Sequence, residues 1–189
     1  MRSILVVNPK GGSGKTTVAT NLAAGLASRD EQVYLWDLDR QQSSLTWLAM
    51  RPPHVALVHR LDRREDEGEP DLGKGRWLVI DSPAGIHGKN LSHALKIAEK
   101  VLVPIQPSVF DMAATSAFLQ MLRDEKAVRK NRAFVGMLGV RVDPRTRAAA
   151  TLEAFLEQFG LPILTHLRTA RFTRTRLSTG RAFSICRTT

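Results

Sequence analysis

The chain has 189 residues, enough to bury the core of one domain of ordinary size, so residues 1–189 are read as a single domain. Its one cysteine, Cys186, excludes an internal disulfide and any site built from several thiolates, as expected in a reducing compartment. The net charge of +10 is lopsided: residues 1–122 carry 14 basic and 13 acidic side chains, whereas residues 123–189 carry 14 and 5. A basic excess gathered in the last third is the electrostatic footprint of a polyanion partner, a nucleic acid or an anionic membrane. No stretch approaches the length of a membrane-spanning helix and the first strand begins close to Met1, so a soluble, cytoplasmic protein with no cleaved leader is expected.

Short apolar runs alternate with amphipathic segments throughout. This is the pattern of βα units, and it predicts an α/β fold: a mostly parallel twisted sheet with helices on both faces. The first strand is expected over residues 3–8. It runs directly into Lys10-Gly11-Gly12-Ser13-Gly14-Lys15-Thr16-Thr17, after which Val18, Leu22 and Leu26 follow at helical spacing. Strand, glycine-rich turn and helix in that order make a phosphate-binding loop. The glycines carry no Cβ, so the backbone N–H groups can curl around a polyphosphate seated on the positive end of the helix. The common form of this loop has a glycine five residues before Gly14, where this chain has Pro9; instead a second lysine, Lys10, precedes the glycine pair. A glycine-rich surface turn with solvated lysines is the weaker reading.

A second strand over 32–37 ends at Asp37-Leu38-Asp39, followed by Arg40, Gln41, Gln42, Ser43 and Ser44. A third is expected over 54–58, and the mixed-charge stretch 60–75, broken by Gly68, Pro70, Gly73 and Gly75, reads as a solvated loop. A fourth over 77–81 ends at Asp81-Ser82-Pro83-Ala84-Gly85. Ligands of open α/β sheets bind beyond the carboxyl ends of the strands, so these aspartates should converge on the phosphate loop. Either one alone reads equally well as a helix cap. Leu91 with Leu95, Leu119 with Leu122, and Leu152 with Phe155, Leu156 and Phe159 mark helical faces between strands over 101–105, 134–142 and 163–166.

Among the basic residues, Arg123, Lys126 and Lys130 are expected to share one helical face, with Arg129 beside it and Arg132 following. Arg141, Arg145 and Arg147 come next, then Arg168, Arg171, Arg174 and Arg176, with no acidic residue after Glu157. A charged face is commonly only a solvated one, but Arg168, Arg171, Arg174 and Arg176 lack neutralising acids and are the candidate DNA-binding residues.

In these motifs the chain resembles the deviant-Walker ATPases of the ParA/MinD type, and the small plasmid-partition ParA proteins most closely. The resemblance rests on residues 8–17, on Asp37-Leu38-Asp39 with Gln41 and Ser43, on residues 81–85, and on Pro104-Ile105-Gln106-Pro107-Ser108 leading to Asp111. It implies a P-loop NTPase fold and Mg²⁺-dependent ATP hydrolysis. Gly11, Gly12, Ser13 and Gly14 would wrap the phosphates and Lys15 would neutralise the β and γ phosphates. Thr16 would offer its hydroxyl to Mg²⁺, and Thr17 would contact the α phosphate. Lys10 would reach across a dimer interface to the partner's nucleotide. Asp39 would orient the attacking water, while Asp81 and Asp37 would hold Mg²⁺ through water.

The resemblance further implies an ATP-dependent homodimer that binds DNA without sequence preference on the nucleoid. Its cargo would be a plasmid, a chromosome or a protein assembly, released when a ParB-like or other adaptor protein stimulates hydrolysis. The chain departs from the family in Arg40, which replaces a frequent proline, and in the absence of the usual adenine-recognition asparagine around 139–143. It also ends at Thr189, where relatives commonly continue into a last helix, and begins without a helix-turn-helix extension. A membrane-associated regulator of the MinD type is the nearest alternative, but 170–189 place Phe172, Leu177, Phe183 and Ile185 among many Arg and Thr, a poor amphipathic helix, so no stable membrane anchor is expected. A metal-cluster reductase lacks its cysteines, a tyrosine kinase lacks its tyrosine cluster beyond Tyr34, and a P-loop metabolic ligase is the least favoured reading.

Overall fold

The computed structural model describes residues 1–63 and 67–168. Their strands are β1 (Arg2–Val6), β2 (Val33–Asp37), β3 (His59–Arg60), β4 (Trp77–Asp81), β5 (Lys100–Ile105), β6 (Phe134–Val140) and β7 (Ile163–Leu167). They join in one sheet in the order β3-β2-β4-β1-β5-β6-β7, and every pairing is parallel. Parallel neighbours cannot be closed by a tight turn, so most connections carry a helix. These are α1 (Lys15–Ala27), α2 (Ser43–Ala49), α3 (Gly88–Ile97), α4 (Val109–Asp124) with the short α5 (Lys126–Arg129), and α6 (Arg147–Glu157).

Both faces of the sheet are covered, which is why its strands are apolar without alternation. On one face α1 presses Ala19, Ala23, Ala24 and Ala27 against Val33, Leu35 and Val79, and the small side chains let the helix lie close. On the other, Leu91 and Leu95 of α3, Phe118, Leu119 and Leu122 of α4, and Leu152 and Leu156 of α6 belong to one core with Leu5, Ile80, Val101, Val103 and Met137. Each fully buried leucine contributes about 1.5–3 kcal/mol. From β1 the chain goes outward to β2 and β3, returns through β4, and then crosses to β5 on the far side of β1. The carboxyl end of β1 is therefore the switch point of the sheet, and the phosphate loop leaves from it.

The structure corrects two expectations from the sequence. The third strand is not at 54–58 but at His59–Arg60, where Tyr34 pairs with His59 and Leu35 with Arg60. Val58 is buried, but in irregular backbone; hydrophobicity fixes which residues go inside, and the ladder register fixes which ones pair. The helix expected to carry Arg123, Lys126 and Lys130 on one face is interrupted at Glu125, which is extended at φ −63° and ψ 135°. Arg123 lies in the last turn of α4 and donates to the Phe159 carbonyl, Lys126 opens α5, and Lys130 lies beyond it. Glu125 is occupied instead as acceptor for the Ser92 hydroxyl at 3.2 Å. Among the described residues no helix is long and apolar enough to cross a membrane.

Candidate functional site

The phosphate loop is shaped by two glycines in the left-handed region, Gly12 at φ +76° and Gly14 at φ +93°. A Cβ on Gly14 would meet Val140 at an ordinary 3.6 Å, so the backbone angle and not crowding demands glycine there. Gly14 is the N-cap of α1, no side chain caps that end, and its first turn holds no acidic residue. Its orphan N–H groups and the helix dipole are left available for an anion. Lys15 is buried, and its ammonium folds back on the loop, donating to the Lys10 carbonyl at 2.9 Å and the Ser13 hydroxyl at 3.4 Å. Burial lowers its pKa, while Asp81 and Asp39 nearby act to raise it. Thr16 and Thr17 follow in the first turn, half-buried.

Strand register brings the carboxylates to this loop. Asp81 is the Cα partner of Val6 in the β1–β4 ladder and of Asp37 in the β2–β4 ladder. Asp81 is wholly buried and neither of its oxygens makes a hydrogen bond. Burial pushes its carboxyl up to about 7, opposed first by the nearby Thr16 hydroxyl and raised further by Asp37. A buried carboxylate with only the nearby Thr16 hydroxyl and the Lys15 charge to offset its burial is costly, and a hard divalent cation suits its oxygens. Thr16 and Asp81 therefore fit Mg²⁺. Among the described residues no three acidic, imidazole or thiolate groups gather closely enough to hold a metal alone, so phosphate oxygens and water would have to supply the remaining ligands.

Asp37 is placed differently from a free ligand. Its Oδ1 accepts the Asp39 N–H at 2.9 Å, and its Oδ2 accepts the Ser44 N–H and hydroxyl at 3.0 and 2.7 Å. It holds the turn that carries Asp39 and the first residues of α2. Asp39 itself is half-buried, with Oδ1 accepting the Gln41 N–H at 3.0 Å. The segment after Asp81 is tied to the phosphate loop as well, since Gly85 donates to the Pro9 carbonyl at 2.8 Å.

Lys10 does not share the position of Lys15. Its ammonium sits 2.6 Å from Oδ2 of Asp111, a buried residue in the first turn of α4. Asn8 supports this arrangement: it accepts the Lys10 N–H at 2.9 Å and donates to the Pro104 carbonyl at 2.8 Å and the Thr115 hydroxyl at 3.1 Å. Thr115 in turn donates to the Asp111 carbonyl at 2.7 Å, and Gln106 donates to the Gly12 carbonyl. Sequence reading placed Asn8 and Asp111 in motifs but missed that they lash the loop to α4. The signal was a polar Asn at the end of a strand buried on both faces.

Beyond β6 and β7, on the same edge of the sheet, lies a cavity of about 400 Å³ lined by Val142, Asp143, Pro144, Arg145 and Arg168. Arg145 pairs with Asp143 through two hydrogen bonds of 3.0 Å and holds its carboxyl down to about 2. Of the candidate DNA-binding arginines, Arg168 is thus exposed at this cavity's rim, while Arg171, Arg174 and Arg176 lie outside the described residues.

Comparison with known proteins agrees with this geometry. Residues 4–177 match the model of the CobQ/CobB/MinD/ParA nucleotide binding domain. The chain is 32% identical to the chromosome-partitioning ATPase Soj of Thermus thermophilus, over 82% of this chain and 76% of that protein. It is 30% identical to the maintenance of carboxysome distribution protein A of Gloeobacter kilaueensis, over 85% of this chain and 73% of that protein. Among solved structures, the MinD cell division protein of Aquifex aeolicus superposes with a TM-score of 0.76 at 19% identity, covering 96% of this chain and 87% of that one. A plasmid partition protein of Borrelia burgdorferi bound to AMPPNP gives 0.73 at 17%, covering 98% and 92%. With its loop glycines, paired strand-end aspartates and second lysine in place, the chain belongs to the CobQ/CobB/MinD/ParA nucleotide-binding family and is a P-loop ATPase of the ParA/MinD type.

Proposed function

We propose that this ATPase pairs two copies over ATP, binds DNA through its phosphates, and positions or segregates a cargo until an adaptor protein stimulates hydrolysis. The observation that carries the reading is the separation of the two loop lysines. Lys15 rests on loop atoms, from where it would meet the β and γ phosphates of its own nucleotide, whereas the Lys10 ammonium is turned away to Asp111. One buried ammonium with the loop N–H groups suffices to cradle a triphosphate. A second lysine held beside the mouth is available for the nucleotide of a second copy.

Within each copy, Gly11, Gly12, Ser13 and Gly14 present backbone N–H groups to the phosphates, and Thr17 meets the α phosphate. Thr16 and Asp81 would hold Mg²⁺, which supplies neutralisation of the developing phosphoryl charge. Asp37 acts through the turn it fixes. That turn aims the Asp39 carboxylate, which accepts a hydrogen bond from the attacking water. The cavity beside Val142 and Asp143, at the carboxyl end of β6, offers room for the nucleobase. Because the Asp81 segment and the Asp39 turn both lean on the loop, loss of the γ phosphate would loosen the contacts that join the copies.

The basic last third supports contact with DNA phosphates, and the names of the relatives indicate the cargo class: chromosome, plasmid or carboxysome. The test is light scattering with Mg²⁺–ATP and with Mg²⁺–ADP, followed by binding to two unrelated duplexes and to anionic vesicles. ATP-dependent dimers that bind both duplexes alike are expected. Turnover with no dimer and no DNA binding overturns the reading in favour of a metabolic enzyme, and vesicle binding without DNA binding in favour of a membrane regulator.

A further inference from the structure

Val109 and Phe110 open α4 and are 71% and 80% exposed, the two most exposed large apolar side chains among the described residues. A lone exposed apolar residue is ordinary; two in sequence on the first turn of a helix, immediately before the buried Asp111, are a local patch. Its position is fixed from several sides. Asp111 holds Lys10, Thr115 holds Asn8, and Gln106 holds Gly12, so the first turn of α4 and the phosphate loop form one piece. Wherever Lys10 docks, Val109 and Phe110 dock within a residue or two of it.

We propose that Val109 and Phe110 form an apolar anchor of the interface with a second copy of this chain. The proposal rests on the ATP-joined dimer proposed above, and it names residues that this reading does not supply. A phenylalanine and a valine so exposed offer on the order of 250 Å². A stable interface needs about 800 Å² per partner. The patch is therefore too small to join two copies by itself, and it adds its burial only when nucleotide brings the loops together. An aromatic residue carries weight at an interface where association strips its water, and closing two loops over nucleotide would do that to Phe110. It also accounts for a hydrophobic pair that remains in water in the single copy.

The test is the dimerisation of Phe110→Ser and Phe110→Leu full-length chains, measured by light scattering over a concentration series with Mg²⁺–ATP. Monomer affinity for a fluorescent ATP analogue is measured in parallel. An 80% exposed side chain is not needed for folding, and circular dichroism melting should be unchanged in both variants. Phe110→Ser should bind the analogue as the parent does yet need about tenfold or more protein to dimerise, and Phe110→Leu should recover most of the loss. If Phe110→Ser dimerises at the parental concentration, the anchor is wrong although the dimer stands. If the parent itself stays monomeric with ATP, the dimer reading fails and the anchor with it. Binding of the single copy to anionic vesicles, lost in Phe110→Ser, would assign the patch to a membrane and overturn the proposal.

Discussion

Asp37 and Asp81 are Cα partners across the β2–β4 ladder, yet one carboxylate is fully engaged and the other has no hydrogen bond. Strand alignment delivers both to the phosphate loop; the turn after β2 then consumes Asp37, while Asp81 faces the loop from β4 in complete burial. On the proposed function, the difference makes Asp37 a residue that positions and Asp81 one that would bind the cation. Asp37→Ala should therefore leave the first cation contact in place and loosen the turn carrying Asp39. Its Mg²⁺ dependence of ATP binding should shift less than that of Asp81→Ala, measured by Mg²⁺ titration.

The raised pKa of Asp81 has a consequence for stability without cation. An aspartate at 3.8 when unfolded and about 7 when folded binds more protons in the native state between those values, so its contribution to stability falls as pH rises from about 4 to 7. By pH 8 the loss is on the order of 4 kcal/mol. Asp81→Asn removes the titration. In denaturant melts without Mg²⁺ the variant should match the parent near pH 4 and exceed it at pH 8. Equal pH dependence in the two proteins would show that the Asp81 carboxyl is solvated.

Lys15→Ala removes the ammonium that rests on the loop and should weaken ATP binding by roughly 10- to 100-fold or more. Lys10→Ala should spare most monomer binding and prevent ATP-dependent dimerisation. Fluorescent-analogue titration with light scattering separates the two effects. Equal loss of binding in both variants would make Lys10 another local phosphate ligand.

Asp39→Ala keeps Thr16, Asp81 and the loop but loses the group assigned to the attacking water. ATP and Mg²⁺ should still bind, and the dimer should persist for longer after ATP addition than in the parent. A variant that hydrolyses at the parental rate contradicts the role.

If the basic last third meets DNA phosphates, each phosphate neutralised contributes roughly 0.9 to the slope of log affinity against log salt. Replacing Arg171 and Arg174 by Ala should flatten that slope and weaken unrelated duplexes alike, because phosphate contacts carry no base information. Monomer ATP binding should be unchanged. Fluorescence anisotropy over a salt series measures this; an unaltered slope removes these arginines from the contact.

The phosphate loop was legible in the sequence because its chemistry is local. Positive φ at positions 12 and 14 requires glycine, and the preceding apolar run and following helical spacing are short-range patterns. The strand-end aspartates were legible for the same reason, as was the parallel sheet, since strands buried on both faces lose their alternation. The third strand was misplaced because burial of Val58 carries no information about which neighbour it pairs with. The basic helix was misjudged because the extended backbone of Glu125 is not encoded in the spacing of Arg123 and Lys126.

What the sequence by itself determined is which groups can bind a nucleotide. Loop conformation, helix dipole and ammonium charge depend on residues within a few positions of one another. Only the tertiary structure decided how those groups are partnered. Asp81 lacks the hydrogen bonds that hold Asp37, and Lys10 stands on Asp111, 101 positions away. Phe110 is left in water beside it. Such relations come from strand register and helix packing, in which each side chain's partner is set by long-range contacts that no local pattern specifies.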